Sequence, residues 1–308
     1  MRTFLKSYVK KFFLNTLLKA NFRREEVAEF RMSEGRPTII LQDGTTLSSF
    51  GARDLPNMEH LGIPKGFEEV VLAYLTRYKF PHFMPQRKMK PGMIPINWMP
   101  YPVHPQHQNT LQELPGKLAG ELTEILSLSA GDRVLEIGSF IGFGTVQMSR
   151  LVGSRGKVVA VEADDAAFAV LNKNVRQNNL SNAISRNYAI GDNDRDEATF
   201  WKSRMQANSL VEIKGAKPGA VRMRKISSVL NETELIPNFI ILTINGFELK
   251  ALESSRELLN EARPLRVITP GWYKDEQGYY APRIIKLLKS HNFKVFSTKG
   301  MHIFAYKV

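Results

Sequence analysis

The stretch Val134–Thr145 reads VLEIGSFIGFGT. An apolar run carries a carboxylate, Glu136, near its end, and Gly138, Gly142 and Gly144 follow. Glycines so spaced after a strand let a ligand come close to the backbone, and the helix that follows offers free N–H groups to it. Neither familiar phosphate pattern fits. A dinucleotide fingerprint G-x-G-x-x-G starting at Gly142 needs a glycine where Gln147 stands, and a P-loop G-x-x-x-x-G-K-[ST] is absent. The spacing present is E-x-G-x-x-x-G, and an acid at the turn repels a pyrophosphate but accepts from an ammonium group.

The next strand-like run, Lys157–Glu162, ends in a second acid. An acid at the end of the second strand of such a sheet accepts from both ribose hydroxyls. A ligand with an amino acid at one end and a ribose at the other is S-adenosylmethionine, with Glu136 and Glu162 at its two poles.

Downstream of residue 111 strand-like and helix-like segments alternate. A helix at about 111–128 precedes the strand Val134–Ile137. Then come a helix from Thr145, a strand to Glu162, and a helix with Phe168, Leu171 and Val175 on one face. Strands are expected at 184–190, 198–201, 221–226 and 238–244, a helix at 250–262, a strand at 265–269 and a helix at 282–290. KVFST and HIFAYKV close the chain. Regular βα alternation implies an α/β fold with a mostly parallel sheet and helices on both faces. The two closing strands are too near one another for a crossover, so they pair antiparallel.

The residues VLEIGSFIGFGT, GKVVAVEADDAAFAVLNKNVRQNNL and NYAIGD, in this order, resemble the FkbM-type family of S-adenosylmethionine-dependent class I methyltransferases. The resemblance covers about 125–308. It implies a Rossmann-like seven-stranded sheet with a terminal antiparallel hairpin, and methyl transfer mostly to hydroxyl oxygens of sugars or natural products. It also implies that Glu136, Gly138, Ser139 and Gly142 hold the methionine end. Glu162 holds the ribose with Ala163 beside it, and Tyr188 and Ala189 lie near the adenine. The family's D-x-E-G-x-E after the fourth strand stands here as Thr243-Ile244-Asn245-Gly246-Phe247-Glu248, and Ile226-Ser227 lacks the acid of an upstream leucine-aspartate pair. Thr243 is taken with the cofactor set. Glu248, the surviving acid, is a candidate base or orienter, or else a charge opening the following helix. Asn245 is a candidate to orient a substrate hydroxyl. His104 and His107 could fold over the site or serve the connector's own structure.

Composition narrows the alternatives. The chain has 308 residues, 43% hydrophobic and 24% charged, with no cysteine. Disulfides and thiolate chemistry are excluded, and the six histidines show no metal-ligand spacing, so no metal is expected. The formal charge of +13 is concentrated: residues 1–24 carry +7 and residues 201–225 carry +6. Two local basic surfaces describe this better than a nucleic-acid coat. Residues 1–22 pair apolar residues with lysines, which suits a basic amphipathic helix packed on its own protein, one lying on a membrane surface, or an organelle transit peptide. A cytoplasmic protein, peripheral at a membrane or else organelle-targeted, is expected, because no apolar run reaches the ~18 residues of a membrane span. Residues 36–50 read as a hairpin about Asp43-Gly44, and 56–110 as a proline-rich connector lying against the next domain. The organisation expected is an N-terminal accessory region, 1–110, and a methyltransferase domain, 111–308.

The basic stretch 201–225 suits an anionic substrate or a guarded edge strand. The rings of PGWYKDEQGYYAP, 270–282, suit a stacking surface or an aromatic lid. The leading function is O-methylation of a hydroxylated small molecule or glycan. An RNA methyltransferase and a non-catalytic cofactor- or partner-binding protein are the alternatives.

Overall fold

The computed structural model describes residues 22–51, 55, 57–79, 121–122, 124–202, 208–298 and 300–308. The basic segment 1–21, His104, His107 and most of the proline-rich connector lie outside the described residues.

Seven strands form the main sheet: β4 (Arg133–Ile137), β5 (Lys157–Val161), β6 (Ala183–Arg186), β10 (Phe239–Leu242), β11 (Leu265–Pro270), β14 (Lys294–Ser297) and β15 (His302–Lys307). Their order is β14-β15-β11-β10-β4-β5-β6. β15 runs antiparallel to both neighbours and the other pairings are parallel. This is the Rossmann-like α/β sheet of class I methyltransferases, terminal hairpin included. The central strands are nearly continuous apolar runs because both faces are covered. Leu135, Ile137, Val159, Ile240 and Leu242 pack on one side; Val134, Val158, Phe239 and Ile241 pack on the other. Alternation along β4 puts Glu136 on the second side, under α2 (Phe143–Val152), whose Met148 joins that core.

α3 (Asp165–Gln177) follows β5 and is capped by Asp164, whose side chain accepts from Ala167 N at 3.0 Å. The expected strand 184–190 is two strands. After β6 the chain leaves the main sheet, and β7 (Ala189–Ile190) pairs with β9 (Lys217–Arg224), itself antiparallel to β8 (Arg195–Lys202). Ile226 does not end a strand; it opens α4 (Ile226–Thr233), a helix the sequence reading missed. The helix expected at 250–262 is broken into α5 (Glu248–Glu253) and α6 (Arg256–Asn260), with Ser255 Oγ donating to Ala251 O at 2.7 Å at the break. α7 (Tyr280–Ser290) packs Ile284 and Leu288 on the sheet.

Before the main sheet, β1 (Val27–Ser33), β2 (Arg36–Leu41) and β3 (Thr46–Ser48) form a small antiparallel sheet. The hairpin about Asp43-Gly44 is present. β1 was missed; it joins β2 through Glu34 and Gly35, both at positive φ (50° and 70°), the geometry a two-residue hairpin turn requires. α1 (Glu68–Ala73) and a π-helical turn, Tyr74–Lys79, pack beneath. Ile39, Leu47, Val70, Val71 and Leu75 share one apolar cluster with Phe140, Ile141, Phe143 and Val170 of the main fold. The outer edge of β3 does not face water. Ser48 N donates to Asn174 Oδ1 at 2.7 Å and Thr46 N to Asn178 Oδ1 at 2.9 Å, while Gln177 Nε2 donates to Thr46 O at 2.9 Å. Side-chain amides at spacings of three and four on α3 thus cap an otherwise bare strand edge.

Candidate functional site

The turn after β4 is built on glycines that cannot be replaced. Gly138 has φ 86°, and a Cβ there would lie 1.8 Å from Thr243 O. Gly142 has φ 78°, and its Cβ would lie 2.4 Å from Leu171 Cδ1. Gly138 N and Ser139 N both donate to Val161 O, at 2.9 and 3.1 Å, which ties the turn to the end of β5. Phe140 sits at φ 50°, a conformation that costs a bulky residue about 1–3 kcal/mol and persists only where the surroundings enforce it. Its N–H donates to Glu162 Oε2 at 2.8 Å, and its ring meets Phe50 with centroids 5.8 Å apart.

Glu136 is buried, accepts from the Thr145 hydroxyl, and lies so close to α2 that a Cβ on Gly144 would come within 2.7 Å of Oε1. That explains the third glycine. Ser139 turns its hydroxyl inward, donating to Glu136 O at 3.1 Å. Thr243 N donates to Ile137 O at 2.8 Å, so Thr243 meets the turn through its main chain.

Glu162 lies at the carboxyl end of β5 and is part-buried. Its other oxygen accepts from Asp164 N at 2.8 Å. Desolvation by burial pushes its carboxyl up to about 7, against the opposing pull of the N–H bonds from Asp164 and Phe140. Part of its surface stays open at the sheet edge. Asn187, the first residue of NYAIGD, donates through Nδ2 to Glu162 O at 3.0 Å and fixes the main chain there. Ala163 packs against the small β7–β9–β8 core. Ala189 is buried in that same core, so its side chain is not presented to a ligand. Tyr188 is part-buried beneath the guanidinium groups of Arg222 and Arg224, 5.2 and 5.4 Å from its ring centroid.

The loop after β10 bears on the two roles left open for Glu248. Glu248 is fully buried, and its oxygens accept from Ile244 N and Gly246 N, each at 2.9 Å. Burial pushes this carboxyl, too, up to about 7. Sealed inside its own loop, it fits the helix-opening role and cannot reach a substrate proton. Asn245, at φ 57°, is held from three sides. Tyr273 Oη donates to its Oδ1 at 2.7 Å, its Nδ2 donates to Asn208 O at 2.9 Å, and Ser209 Oγ donates to its carbonyl at 2.7 Å. Burial and the charge of Glu248 raise Tyr273 above its ordinary value, so its hydroxyl stays a donor. Asn208 also donates to Asp164 Oδ2 at 3.0 Å. Residues 208–209 therefore span from the loop after β5 to the loop after β10, across the carboxyl edge of β4. Asn208 gave no sequence signal. Asn174, Asn187 and Tyr273 lie in stretches that did, but their individual roles were not legible because each acts through a partner distant in the chain.

Among the described residues no cluster of three or more His, Asp or Glu is placed to hold a metal, and no helix is long and apolar enough to cross a membrane.

The strand order of the main sheet is that of the class I methyltransferase architecture, and comparison with known proteins points the same way. The family model of protein-L-isoaspartate(D-aspartate) O-methyltransferase matches residues 95–194, less than half of the chain. A 23S rRNA (uracil(1939)-C(5))-methyltransferase of Psychrobacter arcticus is 25% identical over 55% of this chain and 36% of its own length. A probable cobalt-precorrin-6B C(15)-methyltransferase (decarboxylating) of Sulfolobus acidocaldarius is 28% identical over 48% of this chain and 73% of its own. A protein-L-isoaspartate O-methyltransferase of Methanosarcina mazei is 27% identical over 37% of this chain and 44% of its own. The chain thus spans well under two thirds of the first and third of these relatives. All three are methyltransferases, and they differ in what they methylate.

Proposed function

We propose that this chain is an S-adenosylmethionine-dependent methyltransferase acting on an oxygen acceptor. The observation that carries the reading is Glu162, whose one carboxylate ties the glycine turn to the loop after β5 and still keeps acceptor positions at the sheet edge. The residues fit the cofactor. Gly138 and Gly142 allow close approach, Glu136 puts negative charge beneath the turn, and Glu162 suits a ribose diol. When bound, the cofactor supplies a methyl carbon activated by its sulfonium. The chain's own task is alignment: the turn and Glu162 fix the two ends of the nucleoside, and Asn245 with Tyr273 shapes the wall beside it.

For the acceptor, the order and spacing of the motifs favour the FkbM-type group and a hydroxyl of a saccharide or natural product. Exposed Lys214 and Lys217 would favour an anionic one. A second reading has its own support. The one acid of the loop after β10 is sealed, and a carboxylate acceptor, as in the O-methyltransferase family matched at 95–194, has no proton to lose. The test is incubation of purified protein with radiolabelled methyl donor and fractionated lysate. Label stable to mild base supports a hydroxyl acceptor, and base-labile label a carboxyl ester. Ribonuclease-sensitive label would turn the account to RNA, and no transfer to any fraction would overturn it.

A further inference from the structure

The N-terminal sheet β1–β3 lies outside the segment matched at 95–194. Its contacts reach the glycine turn by two routes. In the first, Asn174 Oδ1 accepts from Ser48 N at 2.7 Å, and Asn174 Nδ2 donates to Ser48 O at 3.0 Å and to Ile141 O at 2.7 Å. One fully buried amide therefore joins the edge of β3 to a carbonyl in the middle of the turn. In the second, the Phe50 ring, just past β3, rests on Phe140, the non-glycine residue held at left-handed φ. Arg36 of β2 covers Phe50 from behind, 5.5 Å from the ring centroid. The same Phe140 gives its N–H to Glu162. A shift of the turn thus moves both the methionine-end backbone and the ribose-binding carboxylate.

Resting on the cofactor reading above, we propose that the N-terminal sheet is a working part of the cofactor site. It braces the turn 138–142 from behind, with Phe50 and Asn174 as positioning residues that touch no ligand. Capping the edge of β3 accounts for the bonds between Asn174 and Ser48, but not for the donor Asn174 turns to Ile141 O, nor for a ring placed on the single strained residue of the turn.

The experiment uses the full-length chain and two readouts, amide hydrogen exchange without ligand and calorimetric titration with S-adenosylhomocysteine. Phe50→Ala, at the part-buried end of the contact, is expected to fold. It should speed exchange at Phe140 and Gly142 about tenfold while leaving β4 and β10 protected, and weaken binding about tenfold. Asn174→Asp keeps the acceptor toward Ser48 N, removes the donor toward both Ile141 O and Ser48 O, and should act in the same direction more strongly. Uniformly faster exchange across the sheet, or unchanged turn exchange with unchanged affinity in Phe50→Ala, would overturn the proposal while the cofactor reading stands. Failure of the wild-type chain to bind would overturn both.

Discussion

Glu162 and Glu248 are near twins in local chemistry and opposites in role. Each ends or follows a central strand at the carboxyl edge, and each accepts two main-chain N–H groups at 2.8–2.9 Å. Burial raises each to about 7. What separates them is where the remaining acceptor positions face. Glu248 bonds residues two and four places before it and closes its own loop, with none of its surface exposed. Glu162 bonds residue 140 on one side and residue 164 on the other, so it sits between two loops with part of its surface open. Glu248 staples one loop, whereas Glu162 bridges two loops at the sheet edge, which is the ground for the ribose-binding role proposed for it.

The sharpest break of this comparison concerns the frame both acids depend on. Gly138→Ala drives a Cβ into Thr243 O, which links the two loops, and should cost about 3 kcal/mol or more, read as a large drop in melting temperature. Next in size, Glu248→Gln sets an amide NH2 against a buried N–H donor. It should cost about 1–3 kcal/mol of stability in denaturant unfolding, with cofactor affinity of the folded protein unchanged. The two acids also make stability fall with rising pH. Each holds its proton more tightly folded than unfolded, where its ordinary value is 4.5, so stability is full below that value and declines as pH rises towards about 7. Unfolding measured from pH 4 to pH 8 should show this decline, and Glu248→Gln should flatten it. The smallest effect expected is that of Tyr273→Phe, which removes one hydroxyl from Asn245 and should cost about 1 kcal/mol.

How much of this was legible follows from the range of each interaction. The apolar runs of β4, β5 and β10, the E-x-G turn and the acid ending the second strand are local patterns, and from them the sheet and the positions of Glu136 and Glu162 at its carboxyl edge were legible. The hairpin 36–50 was legible from Asp43-Gly44, but β1 was missed: Glu29 and Arg31 alternate with Ala28, Phe30 and Met32, yet none of these residues is buried, so the short run carries little core signal. Asn174 reads in LNKNVRQNN as one polar residue among many, and its partner Ser48 lies 126 positions away. For Glu248 two roles stayed open, because sequence shows that an acid follows a strand and not whether its loop folds over it. Ala189 was likewise placed by order along the chain, before the small sheet that buries it could be seen.

The bridging role of Glu162 can be measured directly by titrating S-adenosylhomocysteine into the wild-type chain and into Glu162→Gln at pH 8. Glu162→Gln keeps one carbonyl acceptor but loses the other oxygen and the charge. One hydrogen bond to an ionised acceptor, worth about 1.5–3 kcal/mol, predicts one-to-one binding by the wild type and a loss of at least about tenfold in the variant. Equal affinities, or no binding by the wild type, would contradict the account.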